Sequence, residues 1–163
     1  MKKLSTLFLL LTTSICWGQR LPTRVQVLAG AIARAEGFYV RGSIPNRLRN
    51  PGDIRALKGQ HYPGQVGLTK NGYVIFRTDR DGWAALFHQI EKIQAGDSKF
   101  YTVNMTLRQL SKKYATSSTW VKNVSKILGT KPEARLWEVL EVAPVLEIRP
   151  QSTLDKYRKL WEN

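Results

Sequence analysis

Apolar residues recur at helical spacing from Val25 through Ala29 and Ile32 and end on a single carboxylate, Glu36. Thr23 is a suitable N-cap and Gly37 a natural stop, so the pattern predicts a helix over 25–36. At about 100° per residue, Glu36 lies within roughly 20° of Val25 and Ala29, on the apolar face of the last turn. The stretch 38–67 is polar and rich in Gly, Pro and Arg. Within it Asn50-Pro51-Gly52-Asp53 predicts a type II turn, Pro presetting the first central position and Gly supplying positive φ at the second. Lys70-Asn71-Gly72 predicts a hairpin joining strands 66–69 and 73–76. Helical spacing then resumes. Thr78-x-x-Asp81 opens a helix carrying Trp83, Leu86, Ile90 and Ile93, which Gly96 ends. Thr106-x-x-Gln109 opens one with Leu107, Leu110 and Tyr114, and Thr119 starts another with Trp120, Val124 and Leu128, closed by Gly129. Pro132 in a first turn predicts a helix over 133–140, and Ser152-x-x-Asp155 a terminal one bearing Leu154, Tyr157 and Trp161. With no repeat and no low-complexity linker, the expectation is one α+β domain: a helix, a small β-hairpin lobe, then four or five helices.

The first eighteen residues set that domain's limits at 19–163. Lys2-Lys3 followed by an apolar run from Leu4 to Ile15 has the form of a secretory signal, too short to span a bilayer comfortably. A buried N-terminal helix or membrane anchor is the alternative. Cys16, the one cysteine, would leave with the signal, so the mature chain would hold neither a disulfide nor a thiol nucleophile. Export without disulfides fits a bacterial periplasm or exterior. The whole chain has 26 basic and 12 acidic residues, a net charge of +14. Loss of Lys2 and Lys3 would lower that to +12. Such a field favours polyanionic partners: nucleic acid, anionic lipid or an anionic cell wall. The basic residues are scattered rather than run together, and export makes nucleic acid the unexpected partner among these.

Several kinds of chemistry find no support. His61 and His88 are the only histidines and belong to no ligand-spaced cluster, so no metal is expected. No glycine-rich phosphate loop and no nucleophile-elbow serine occurs, and no cofactor is implied. A carboxylate-centred site remains, with Glu36 where a helical lobe meets a β-lobe, the kind of junction at which clefts form. An acid on an apolar face at a helix C-terminus is desolvated and meets the negative end of the dipole, so its pKa should rise toward that of a general acid. The competing expectation is a Glu36 that points into water or pairs with Arg34 or Arg41.

The pieces Glu36-Gly37-Phe38, Arg49-Asn50-Pro51-Gly52-Asp53-Ile54-Arg55, a hairpin ending Tyr73-Val74-Ile75-Phe76, and Asp81-Gly82-Trp83-Ala84-Ala85-Leu86 occur in that order. Together with Leu110-Ser-Lys-Lys-Tyr114 and the segment 121–129, they resemble the lysozyme-like lytic transglycosylase and phage-type peptidoglycan hydrolase group over most of residues 25–140. The resemblance implies a lysozyme-like fold, mostly helical, with the β-hairpin lobe as one wall of a cleft. It makes Glu36 the acid that protonates the glycosidic oxygen between N-acetylmuramic acid and N-acetylglucosamine. In a transglycosylase the same carboxylate then acts as base while the muramoyl 6-hydroxyl closes a 1,6-anhydro ring. Asn50 and Asp53 fall where the group lines its sugar groove, or they are turn residues. Tyr73 stacks on sugar or belongs to the core, and Tyr114 is directed at the acid or packs inside. The group's Gly-Leu-Met-Gln run is missing, and position 53, often Asn in look-alikes, is Asp. An inverting muramidase needs a second carboxylate roughly 6.5–9.5 Å from the first, for which Asp53 is the candidate, while Asp79 and Asp81 read as helix caps. The expected partners are peptidoglycan strands and the anionic wall surface, met by a monomer. Two non-enzymatic readings compete, a glycan-binding or structural module on the same fold and a basic nucleic-acid-binding protein.

Overall fold

The computed structural model describes residues 23–115 and 118–142. The signal-like residues 1–18, with Cys16, and the helix expected after Ser152 lie outside the described residues. The described chain is α+β: six helices and a two-stranded antiparallel sheet.

Helix α1 (Arg24–Ala35) is the axis of the packing and touches α3, α5 and α6. It starts as its sequence dictates. The Thr23 side chain accepts from the Gln26 N–H while the Gln26 side chain accepts from the Thr23 N–H, so two orphan donors are satisfied at once. Leu28, Ala29, Ala31, Ile32 and Ala33 are buried, and the alanines let neighbouring helices approach closely. Glu36 is the C-cap, one residue past the helix, and Gly37 takes the left-handed φ of +79°.

A four-residue helix α2 (Ile44–Arg47) interrupts the stretch expected to be irregular. Ser43 caps it, and Pro45 fits its first turn because that position needs no donor. Strands β1 (Gln65–Leu68) and β2 (Val74–Phe76) form the expected hairpin, with Leu68 opposite Val74 and Gly72 at φ +80° in the connection. An isolated bridge from Arg55 to Tyr73 joins the 50–55 turn to the hairpin. Helix α3 (Asp79–Ala95) has its Thr78–Asp81 capping box, and α4 (Leu107–Tyr114) its Thr106–Gln109 box. Helix α5 covers Ser118–Ile127, and α6 (Leu136–Leu140) starts later than Pro132 suggested. Residues 132–133 form a turn instead. It is held where Leu107 and Arg108 donate to the carbonyls of Ala134 and Pro132, and the chain becomes helical only after the Arg135–Thr106 bridge. One apolar core, including Leu28, Phe76, Leu86, Leu107 and Leu136, runs beneath these elements. Among the described residues no helix is long and apolar enough to cross a membrane.

A candidate acid-base cleft

The 49–55 turn shapes one wall of the site, and its sequence works differently from the type II turn expected. Asp53 N–H donates to the Asn50 carbonyl at 3.0 Å, so the chain does turn. Gly52 nevertheless does not adopt positive φ; Asp53 does, at +45°, after Arg49 at +55°. Glycine is needed at 52 for space. A Cβ there would lie 2.9 Å from Leu86 Cδ1 and 3.0 Å from the Tyr114 hydroxyl. Gly82 is tighter still, because a Cβ would meet the Arg49 carbonyl oxygen at 2.0 Å and Pro51 Cδ at 2.8 Å. The Asn-Pro-Gly and Asp-Gly-Trp pieces therefore interlock, the first turn of α3 being pressed against the loop.

Asn50 was expected either to line the groove or to serve the turn, and it does the second. It is fully buried and consumed by backbone. Its Nδ2 donates to the carbonyls of Ile54 (2.9 Å) and Val74 (3.0 Å), and its Oδ1 accepts from Ile54 N–H (2.9 Å). A carboxamide supplies donors and an acceptor together, which is why this position can brace both the turn and the hairpin. Asn50 shapes the groove from behind and is not part of its surface.

The cleft in front of this turn has a volume of about 740 Å³, and Glu36, Asp53, Tyr73 and Tyr114 all face it. Glu36 is half-buried at its inner end. Trp120 Nε1–H, from α5, donates to Glu36 Oε1 at 2.6 Å, which leaves Oε2 for a ligand. Neither Arg34 nor Arg41 forms an ion pair with Glu36; the Arg34 guanidinium lies 5.5 Å from the centre of the Tyr39 ring. Burial is the largest influence on the acid and pushes its pKa up to about 7, against the Trp120 hydrogen bond, which lowers it; the charge of Asp53 raises it further. Burial likewise raises Asp53, and Arg55 pulls it back. Its Oδ1 is buried and has no hydrogen-bond partner among the described residues. A carboxylate in that state, on a left-handed backbone, is expensive to maintain and belongs to functional sites more often than to plain turns.

The two tyrosines differ. Tyr114 Oη donates to the Gly52 carbonyl at 2.5 Å, and its ring lies 5.3 Å from that of Trp120. Burial, then the nearby Glu36 charge, raises its pKa well above the usual phenol, so it remains a neutral donor. Tyr73 stands at the cleft edge with the Arg55 guanidinium 4.3 Å above its ring centre and bonded to its hydroxyl at 2.6 Å. Arg55 thus covers one face of the ring.

Sequence reasoning missed Trp120 as a partner of the acid, reading it as a core residue. It also missed a neutral polar group at the cleft, where Tyr62 Oη accepts from Gln60 Nε2 (2.8 Å) and Gln89 Nε2 (2.9 Å). His61 and His88 are both exposed, and among the described residues no cluster of His, Cys, Asp or Glu is arranged to hold a metal ion. The cleft can transfer a proton near neutral pH from one desolvated carboxyl, with a second carboxylate within electrostatic reach. Compared with models of known protein families, with curated proteins and with solved structures, the chain gives no match.

Proposed function

We propose that the protein is an exported enzyme that cleaves the β-1,4 glycan backbone of peptidoglycan, on a lysozyme-like fold and with Glu36 as its general acid and base. The observation that carries this reading is Glu36 itself: a carboxyl raised to about 7 by burial, held by Trp120 through one oxygen, in the lining of a cleft of about 740 Å³. The resemblance of its surroundings to the transglycosylase group supplies the substrate.

In this reading the protonated Glu36 gives its proton to the glycosidic oxygen as the bond from the muramoyl C1 breaks. The Trp120 N–H then stabilises the carboxylate just formed. As a lytic transglycosylase, Glu36 takes the proton of the muramoyl 6-hydroxyl while that oxygen bonds to C1, closing a 1,6-anhydro ring without consuming water. Asp53 favours a second reading. A second carboxyl in the lining of the same cleft is what an inverting muramidase would use to activate water from the opposite face of the ring.

Mass spectrometry of the fragments released from purified peptidoglycan by the full chain separates these outcomes. Anhydro-muramoyl products lost in Glu36→Gln and kept within a few-fold in Asp53→Asn are expected for the transglycosylase. Reducing-end products lost in both variants would make the enzyme a hydrolase. Wall binding with no fragments, unaffected by Glu36→Gln, would replace catalysis with a glycan-binding module.

A further inference from the structure

A second groove, of about 550 Å³, lies along α4 beside the catalytic cleft, and the two share Lys112 and Lys113 in their linings. They differ in charge. The cleft contains two carboxyls, Glu36 and Asp53, whereas the second groove is lined by Lys112, Lys113 and Arg135 with no acidic side chain. The cations are also uncompensated. The acid on that side, Glu133, is engaged with Arg108 at 2.5 Å, and neither ion pair found among the described residues involves the groove's lysines or Arg135. Backbone carbonyls aim two of them: Lys113 Nζ donates to Phe100 O at 2.9 Å and Arg135 Nη1 to Asn104 O at 2.6 Å. Asn104 and Gln109 add amide hydrogen-bonding groups to the same lining.

The shared lysines place a groove that prefers negative charge directly beside the cleft that contains Glu36. We infer that this groove is a subsite for a carboxylate-bearing peptide branch of the glycan, so that Lys112, Lys113 and Arg135 make the protein select strands carrying peptides over bare polysaccharide. This rests on the glycan-cleaving reading above and narrows its substrate. A neutral chitin-like chain offers nothing to three cations, whereas a peptide joined to the sugar ends in a free carboxylate. Cations at such exposed positions act by screened attraction, which sets the size of the selection at roughly 1.4- to fivefold per charge.

The test uses the full chain carrying Glu36→Gln, so that ligand stays intact, and titrates two synthetic disaccharide–peptides identical except that every peptide carboxylate is free in one and a carboxamide in the other. The free-acid form should bind about tenfold more tightly at low salt, and the margin should shrink at high salt. Adding Arg135→Gln and Lys112→Gln should reduce the margin to twofold or less while binding of the carboxamide form stays within twofold. Equal affinity for the two forms, or a preference that survives both substitutions, overturns the subsite. Because binding is the readout, failure of the catalytic reading shows separately, as absence of glycan fragments with the unsubstituted chain. A margin that disappears against peptide alone but persists with sodium phosphate as competitor assigns the groove to carboxylates. Equal competition by phosphate would overturn the peptide assignment in favour of a general anion site.

Discussion

The two walls of the cleft handle their polar groups in opposite ways. On the helical wall, the Trp120 N–H is satisfied by Glu36, and the Tyr114 hydroxyl reaches across to Gly52. On the turn wall, Asn50 is satisfied three times over behind the surface, while Asp53 sits at positive φ with a buried oxygen that has no hydrogen-bond partner among the described residues. The helical wall holds an acid whose two states are both provided for: burial favours the protonated form, and the indole N–H eases the ionised one. The turn wall spends its hydrogen bonds on keeping one strained residue in place. A rigid back with an unsatisfied front is the arrangement expected where a ligand completes the bonding.

The largest expected effect breaks the helical side. Glu36→Gln should lower glycan cleavage by about 10²–10⁴-fold, measured as released fragments, because it removes the transferable proton and keeps the shape. The same change should not unfold the protein. Above pH 7 it should stabilise it, since the folded chain then no longer buries a charge. The sign follows from linkage: between about 4.5 and about 7 the folded state holds a proton that the unfolded state has lost, so stability falls as pH rises through that window. Thermal melts of both forms at pH 5 and pH 8 test this, and an equal pH response would remove Glu36 from the account.

On the turn side, Asn50→Ala should destabilise the fold by about 3 kcal/mol in chemical denaturation, since it strands the buried Ile54 N–H and takes a donor from the carbonyls of Ile54 and Val74, the first of which keeps the Val74 N–H. A loss under about 1 kcal/mol would mean that the turn is not braced from behind. The third effect concerns pH. Cleavage should decline as pH rises through about 7, where Glu36 loses its proton. Trp120→Phe should move that decline to higher pH, because the lost hydrogen bond had favoured the carboxylate. A pH profile that stays put or moves down would assign the donor another purpose. Smallest is Tyr114→Phe, with an expected loss of about 1 kcal/mol from one hydrogen bond, read from the same denaturation curves.

What the sequence made legible was local. Thr23 with Gln26, Thr78 with Asp81 and Thr106 with Gln109 announce their helices because both halves of each cap lie within one turn. The cleft position of Glu36 was readable from the helical period and the Gly37 stop. The rest depended on neighbours distant in sequence. Trp120 is 84 residues from the acid that it holds, and nothing in its own helical spacing distinguishes it from a core residue. Gly52 read as a turn glycine because Pro-Gly carries that signal, yet Leu86 and Tyr114 are what exclude a side chain there. Asn50 went the other way, a polar residue in a polar stretch that turned out to face inward. Helix α2 was hidden because four residues are too few to establish a period.

The bond from Tyr114 to the Gly52 carbonyl spans 62 residues of sequence and joins the last turn of α4 to the turn wall. At 2.5 Å it cannot shorten, and Leu86 and Ile54 crowd Gly52 from the other sides. Mechanically it is a strut that sets the gap between two jaws. A vice with a fixed gap does not yield to what it grips. On the glycan-cleaving reading proposed above, the bound chain would do the bending, and the load would fall on its ring and linkage.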